Sequence, residues 1–140
     1  MKILACVDGS EHSFNAIEEA AKIAAGMDNA DVTIINVDEV KPDKPYFSED
    51  SLKEMEARNR ADREKIMARA VKIFEERNLK VNTLIKKGEP ASTIIELAEE
   101  ENFDVVVLGS RGHGGLKQAL LGSVSNAVAQ SVKAHVFIVK

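Results

Sequence analysis

The sequence predicts an α/β fold, a doubly wound five-stranded parallel sheet with helices on both faces, built as a single domain over residues 1–140. Three observations carry that prediction. Short runs rich in β-branched residues alternate with longer stretches at helical spacing along the whole chain, the pattern of parallel strands joined by crossover helices. The run Asp104–Leu108 is apolar from its second residue onward, as a strand covered on both faces must be. A chain of 140 residues with 44% hydrophobic and 30% charged side chains suits one globular domain. Its size buries about 68–70% of the unfolded surface, so it needs no disulfide or structural metal to fold.

The elements follow in order. Lys2–Val7 is a continuous apolar strand that stops at Asp8-Gly9-Ser10. Phe14, Ile17, Ala20, Ala21 and Ala24 then recur on one helix face, and Gly26 and Asn29 bracket its end. Val32–Val37 is the second strand, followed by a loop with Pro42 and Pro45. From Ser48 to Asn78 the spacing predicts one long helix of uneven amphipathicity. Ile66, Ala70, Ile73 and Phe74 form a packing stripe, whereas Glu56–Lys65 offers only Ala57 and Ala61. The second half should therefore lie on the sheet and the first half project into solvent or toward a partner. Its mixed charges, Glu54 to Lys65, read as a solvated face with i,i+4 pairs. Val81–Ile85 alternates as a third strand and ends at Lys86-Lys87-Gly88-Glu89-Pro90. Pro90 suits a first helical turn, where its missing N–H costs nothing, and Ile94, Ile95, Leu97 and Ala98 form that helix's buried side. After the fourth strand a glycine-rich loop runs to Gly122. Val124, Ala127, Val128 and Val132 line a last helix, and Val136–Val139 is the fifth strand. Periodicity leaves the strand order open.

Charge and composition exclude several function classes. With 19 basic and 23 acidic residues the net charge is −4, whereas an electrostatic nucleic-acid binder is normally basic. Cys6, the one cysteine, forbids an intrachain disulfide and a cysteine-rich zinc site, and its apolar run suggests a buried, inert thiol. His12, His113 and His135 show no metal-ligand spacing. The opening MKILACVD is too short and too soon acidic for a signal peptide, and no apolar run could span a bilayer. A cytoplasmic protein without nucleic-acid or membrane partners is expected.

In an open α/β sheet, ligands bind beyond the carboxyl ends of the strands, where the winding reverses. The richest such exit is GSRGHGGLKQALLGSVSN, residues 109–126. Gly109, Gly112, Gly114 and Gly115 allow close backbone approach. Gly122-Ser123 opens the last helix, with Ser123 expected as its N-cap. The first N–H groups of that helix, on Val124 and Ser125, would lack helical partners and stand at the positive end of the dipole, a place for a phosphate. The Ser123 and Ser125 hydroxyls are expected to add donors, and Arg111 or Lys117 positive charge. Neither a Walker A loop nor a dinucleotide-binding glycine fingerprint is present. Asp8, at the first strand's exit, is either a cap for the following helix or a group facing this loop. A carboxylate facing a phosphate would repel it unless a cation such as Mg²⁺ lies between them.

Gly109-x2-Gly112-x9-Gly122-Ser123 resembles the ATP-binding signature of the universal stress protein family. The ILACVDGSEHSFNAIEEA opening, the KKGEPASTI segment and the DVVVLGSRG strand resemble that family too, so the likeness covers nearly the whole chain. The resemblance implies a strand order 3-2-1-4-5, with Asp8 beside Gly109 at the switch point. It implies that Asp8 meets the sugar-phosphate region or a divalent cation and that Val37 meets the adenine edge. Gly109 and Gly112 would line ribose and phosphates, and Gly122, Ser123, Val124 and Ser125 would hold the phosphate tail. It also suggests a homodimer through the last strand, whose apolar residues at a sheet edge would invite pairing. One departure is Lys133-Ala134-His135, where the family often carries a proline before that strand.

The expected function is an ATP-binding stress-response regulator, with Mg²⁺ as helper and an unknown regulatory partner that reads loop order. No nucleophile elbow or carboxylate pair marks catalysis. The alternatives are a slow metal-dependent ATPase using Asp8 and His113, which lacks an evident base, and a nucleotide-free dimeric scaffold.

Overall fold

A computed structural model describes residues 1–39, 48–112 and 121–140. Among these residues nine elements alternate: β1 (Lys2–Cys6), α1 (Glu11–Ala25), β2 (Asp31–Glu39), α2 (Glu49–Glu75), β3 (Asn82–Gly88), α3 (Pro90–Glu100), β4 (Val105–Gly109), α4 (Ser123–Ser131) and β5 (His135–Val139). All strands are parallel, in the order β3-β2-β1-β4-β5. The α/β architecture and the 3-2-1-4-5 order are thus as the sequence and its resemblance led one to expect.

Alternation within β1 divides the core into two layers. Ile3, Ala5 and Val7 pack with Phe14 and Ile17 of α1 and with Met67, Ala70 and Phe74 of α2. Leu4 and Cys6 face the other way, toward Ile94 and Leu97 of α3 and Val128 of α4. Each helix contributes one apolar stripe, so the sheet is covered on both faces. In α2 the buried residues are Met67, Ala70 and Phe74, all in its second half, as its uneven stripe predicts. Burial, followed by the nearby Asp8 charge, pushes the Cys6 thiol up to about 12, which fits an inert cysteine. No helix among the described residues is long and apolar enough to cross a membrane.

Three of the four turns from helix to strand share one device. Asn29, Asn78 and Asn102 each take a positive φ, of 61°, 57° and 54° respectively. Asparagine tolerates this left-handed region better than other residues with a Cβ. The turn before β5, where the family pattern is broken, is held by Glu99, whose carboxylate accepts from Lys133 N at 2.7 Å.

The third strand is longer than Val81–Ile85. It begins at Asn82 and continues through Lys86 and Lys87 to Gly88, because β2 runs on to Glu39 and supplies a partner for each residue. Lysines suit an outer strand of this kind, where they discourage further pairing. Register turns this extension into a wall. The β1–β2 ladder ends at Cys6 and Ile35, and the β1–β4 ladder at Ala5 and Val107. The β2–β3 pair continues four residues past Ile35. Beyond the end of β1 the sheet therefore opens between a two-stranded lip and β4, at the point where the winding reverses.

Candidate functional site

A cavity of about 680 Å³ occupies that opening. Its two ends differ in chemistry. Ile35 and Val37 of β2, Val7 at the exit of β1, Pro90 and Ile94 of α3, and Leu108 of β4 form an apolar slot. Asp8, Gly109, Arg111, Gly112 and residues 122–126 form a polar end. All nine sequence-predicted site residues, Val37, Val124 and Ser125 included, border this one cavity.

The exit of β1 is a tightly bonded turn. Gly9 takes φ 91°, which reverses the chain before α1. Ser10 is the N-cap of α1, its Oγ accepting from Ser13 N at 3.2 Å. Asp8 is therefore not the cap. Its Oδ1 accepts from Ser10 N at 2.8 Å, and its own N–H donates to Ser13 Oγ at 3.2 Å. Its other oxygen, Oδ2, would lie 2.5 Å from a Cβ placed on Gly112. The carboxylate thus lies directly against the loop after β4, and any side chain at position 112 would push it aside.

The glycines of that loop have different reasons. A Cβ on Gly109 would sit 2.8–2.9 Å from the backbone of His12 and Ser13, so this position lets α1 pack on β4. A Cβ on Gly122 would come within 3.3 Å of Arg111 Cα and of the Ser110 carbonyl oxygen. Gly122 N donates to that carbonyl at 2.6 Å, closing the two ends of the loop onto each other.

Ser110 is the node of this closure, a residue that the sequence did not single out. Its N–H donates to Val139 O at 2.7 Å, and its hydroxyl lies 3.3 Å from His12 Nδ1. Its carbonyl also faces the Ser125 hydroxyl at 3.0 Å, which is equally close to Gly122 O. The buried Ser125 hydroxyl therefore donates to the protein and is not the spare donor expected from the sequence. The expected cap is displaced by one residue as well. Gly122 is the N-cap of α4, without a side-chain hydrogen bond, and Ser123 is its first, exposed residue. The first helical hydrogen bond runs from Asn126 N to Gly122 O, which leaves the N–H groups of Ser123, Val124 and Ser125 ahead of it.

Of the three helices that begin at the cavity, two carry their own acceptor. Ser10 caps α1, and Glu89 caps α3 by accepting from Ala91 N at 3.1 Å and Ser92 N at 2.7 Å. The Ser92 hydroxyl and then the Ser92 N–H hold the Glu89 carboxyl below its ordinary range. Among the described residues helix α4 has no such filling, and its start borders the cavity.

The slot end contains a group that sequence reasoning placed in solvent. Arg63 of α2 lines the cavity with its side chain only 20% exposed. Its Nη1 donates to Asn36 Oδ1 at 2.9 Å and to Val37 O at 3.2 Å. Its Nε lies 3.0 Å from Asp38 Oδ1, an ion pair without hydrogen-bond alignment. The only trace in the sequence is the i,i+4 pair Asn59 and Arg63, since Asn59 Nδ2 also donates to Asp38 Oδ1, at 3.1 Å.

Among the described residues no group of three or more His, Cys, Asp or Glu side chains could hold a metal ion. A cation at Asp8 would need most of its oxygen ligands from a bound phosphate or water, as Mg²⁺ commonly has. His113, Gly114, Gly115 and Lys117 lie outside the described residues.

The profile of the universal stress protein family matches residues 1–140. The chain is 33% identical over 139 residues to universal stress protein MJ0531 of Methanocaldococcus jannaschii, covering 99% of this chain and 81% of that one. It is 32% identical over 146 residues to universal stress protein YxiE of Bacillus subtilis, covering 99% and 98%. Among solved structures it resembles a universal stress protein in complex with cAMP, with TM-score 0.76 and 27% identity over 100% of this chain and 97% of that one. The parallel sheet of order 3-2-1-4-5, the glycine loop closed at its switch point and these full-length matches agree, and the chain belongs to the universal stress protein family.

Proposed function

We propose that this protein binds an adenine nucleotide, ATP with Mg²⁺, and acts as a nucleotide-responsive regulator in the cytoplasm. The observation that carries the reading is the uncapped start of α4 bordering the same cavity as an apolar slot. A phosphate tail at that start meets the N–H groups of Ser123, Val124 and Ser125 and the positive end of the helix. Gly112 lets the ligand and Asp8 approach the loop backbone, Gly109 lets α1 pack on β4, Gly122 holds the loop shut, and Arg111 adds positive charge. The base lies in the slot against Ile35 and Val37. That a 27% identical structure is a complex with cAMP supports adenine over other bases. Mg²⁺ fits a single fixed carboxylate with phosphate oxygens as its other ligands, and would neutralise their mutual repulsion. Asp8 would hold the ion and otherwise the ribose hydroxyls.

The edge strand β5, with Phe137 48% exposed, supports a homodimer through the last strand, and loop order is the signal a regulatory partner would read. An acid extract of freshly purified protein, followed by ATP titration with and without Mg²⁺ for the parent and Asp8→Ala, tests the function. Adenine nucleotide in the extract and a Mg²⁺-dependent loss of affinity in the variant are expected. Absence of nucleotide together with no binding at millimolar ATP would overturn the proposal. An unchanged affinity in Asp8→Ala would remove the metal from it.

A further inference from the structure

We propose that Arg63, on the long helix α2, is the positioning residue for the base end of the cavity. The proposal rests on the nucleotide-binding reading above and adds a residue that neither the glycine loop nor the strand exits supply. In α2 no side chain before Met67 is buried, so the helix leaves the core at about the level of Arg63. There its side chain turns inward onto three consecutive residues of β2. Nη1 donates to the Val37 carbonyl at 3.2 Å and to Asn36 Oδ1 at 2.9 Å, and Nε pairs with Asp38 at 3.0 Å. Asn36 is fully buried and donates to the carbonyl of Val7, the residue before Asp8, at 2.8 Å. One guanidinium thus ties α2 to the exit of β2 and, through Asn36, to the exit of β1.

This matters at the slot because β2 has lost its β1 partner beyond Ile35, so Val37 and Asp38 are paired on one side only, by β3. A planar base needs a fixed edge to lie against, and a strand end held on one side is a poor one. Arg63 supplies the second hold. Its fork geometry reaches the Asn36 and Val37 oxygens while pairing with Asp38, which the single ammonium of lysine cannot reproduce. The Val37 carbonyl has two lone pairs, so Arg63 can occupy one and leave the other for an amino group of the base.

The test compares ATP with inorganic triphosphate, both with Mg²⁺, in calorimetric titrations of the full chain and of Arg63→Met and Arg63→Lys. Arg63→Met should raise the Kd for ATP about tenfold, equivalent to about 1.4 kcal/mol. The Kd for inorganic triphosphate should stay within about twofold. Arg63→Lys should fall between the parent and Arg63→Met, and it carries the test should the methionine variant not fold. An equal loss for both ligands would make Arg63 a general anchor of α2 and overturn the proposal. So would unchanged ATP affinity in variants of a parent that binds ATP. A parent that binds triphosphate no more weakly than ATP would overturn the base-binding reading itself.

Discussion

Gly109 and Gly112 stand three positions apart in one loop, yet substituting them should damage different properties. An alanine at Gly112 places its Cβ 2.5 Å from Asp8 Oδ2, whereas ordinary van der Waals contact begins near 3.4 Å. The carboxylate must retreat by about 1 Å, which puts at risk its bond from Ser10 N at 2.8 Å. Losing that one exposed hydrogen bond costs about 1 kcal/mol, or roughly 3–5 °C in Tm for a chain of this size. An alanine at Gly109 meets backbone atoms of His12 and Ser13 at 2.8–2.9 Å, and α1 would have to move as a unit. Overpacking of that kind typically costs about 1–3 kcal/mol, roughly 3–15 °C. On ligand binding the order reverses. Gly112→Ala misplaces Asp8 at the phosphate end and should weaken Mg²⁺-ATP at least about tenfold, since charge-assisted contacts there are worth about 1.5–3 kcal/mol. Thermal melts and calorimetric titration of both variants make the comparison. Equal losses of Tm, with Gly112→Ala binding ATP as tightly as the parent, would refute the assignment of Gly112 to the site and Gly109 to packing.

Three further outcomes are expected. Glu89 has a folded-state pKa below its ordinary value of 4.5, so its cap stabilises α3 above that pH and is lost as pH falls through the lowered value. Glu89→Gln should accordingly show a shallower fall of Tm below pH 4.5 than the parent, and parallel curves would sink the assignment. Cys6, pushed up to about 12, should be thiolate in only roughly one molecule in ten thousand at pH 8 and resist a thiol reagent until the chain unfolds, and rapid labelling of the native protein would contradict its burial. Phe137→Lys at the β5 edge should reduce the sedimenting mass from two chains to one at micromolar concentration, and a parent already sedimenting as one chain would remove the dimer.

The fold was legible because its signals are local and repeated. Apolar β-branched runs such as Val105–Leu108 and stripes such as Ile66, Ala70, Ile73 and Phe74 report burial directly. The glycine loop was legible for the opposite reason, as a set of conformationally costly residues in a place where packing alone would favour side chains. What stayed hidden depends on contacts between distant segments. Nothing near Lys86 and Lys87 announces a strand, since they are paired only because β2 overruns β1. Arg63 looks like its charged neighbours until Asn36 and Asp38 are brought opposite it, 27 and 25 residues earlier in the chain. Ser125 and Ser123 differ by a fraction of a helical turn, yet that rotation turns one hydroxyl onto the Ser110 carbonyl and leaves the other residue exposed.

The handling of charge at the cavity explains how a chain of net charge −4 can be suited to an anion. Bulk potential works against it, so attraction must come from dipoles at short range. Two of the three helix starts bordering the cavity are already neutralised by the chain itself, α1 by Ser10 and α3 by the carboxylate of Glu89. If Glu89 were apolar, a phosphate would have two competing helix ends within one cavity and no unique orientation. With α3 filled, α4 is the remaining start among the described residues, and Val37 and Ile94 add apolar surface to the same cavity. The cap on α3 therefore does more than stabilise a helix: among the described residues it leaves α4 as the one helix start at the cavity without a side-chain cap.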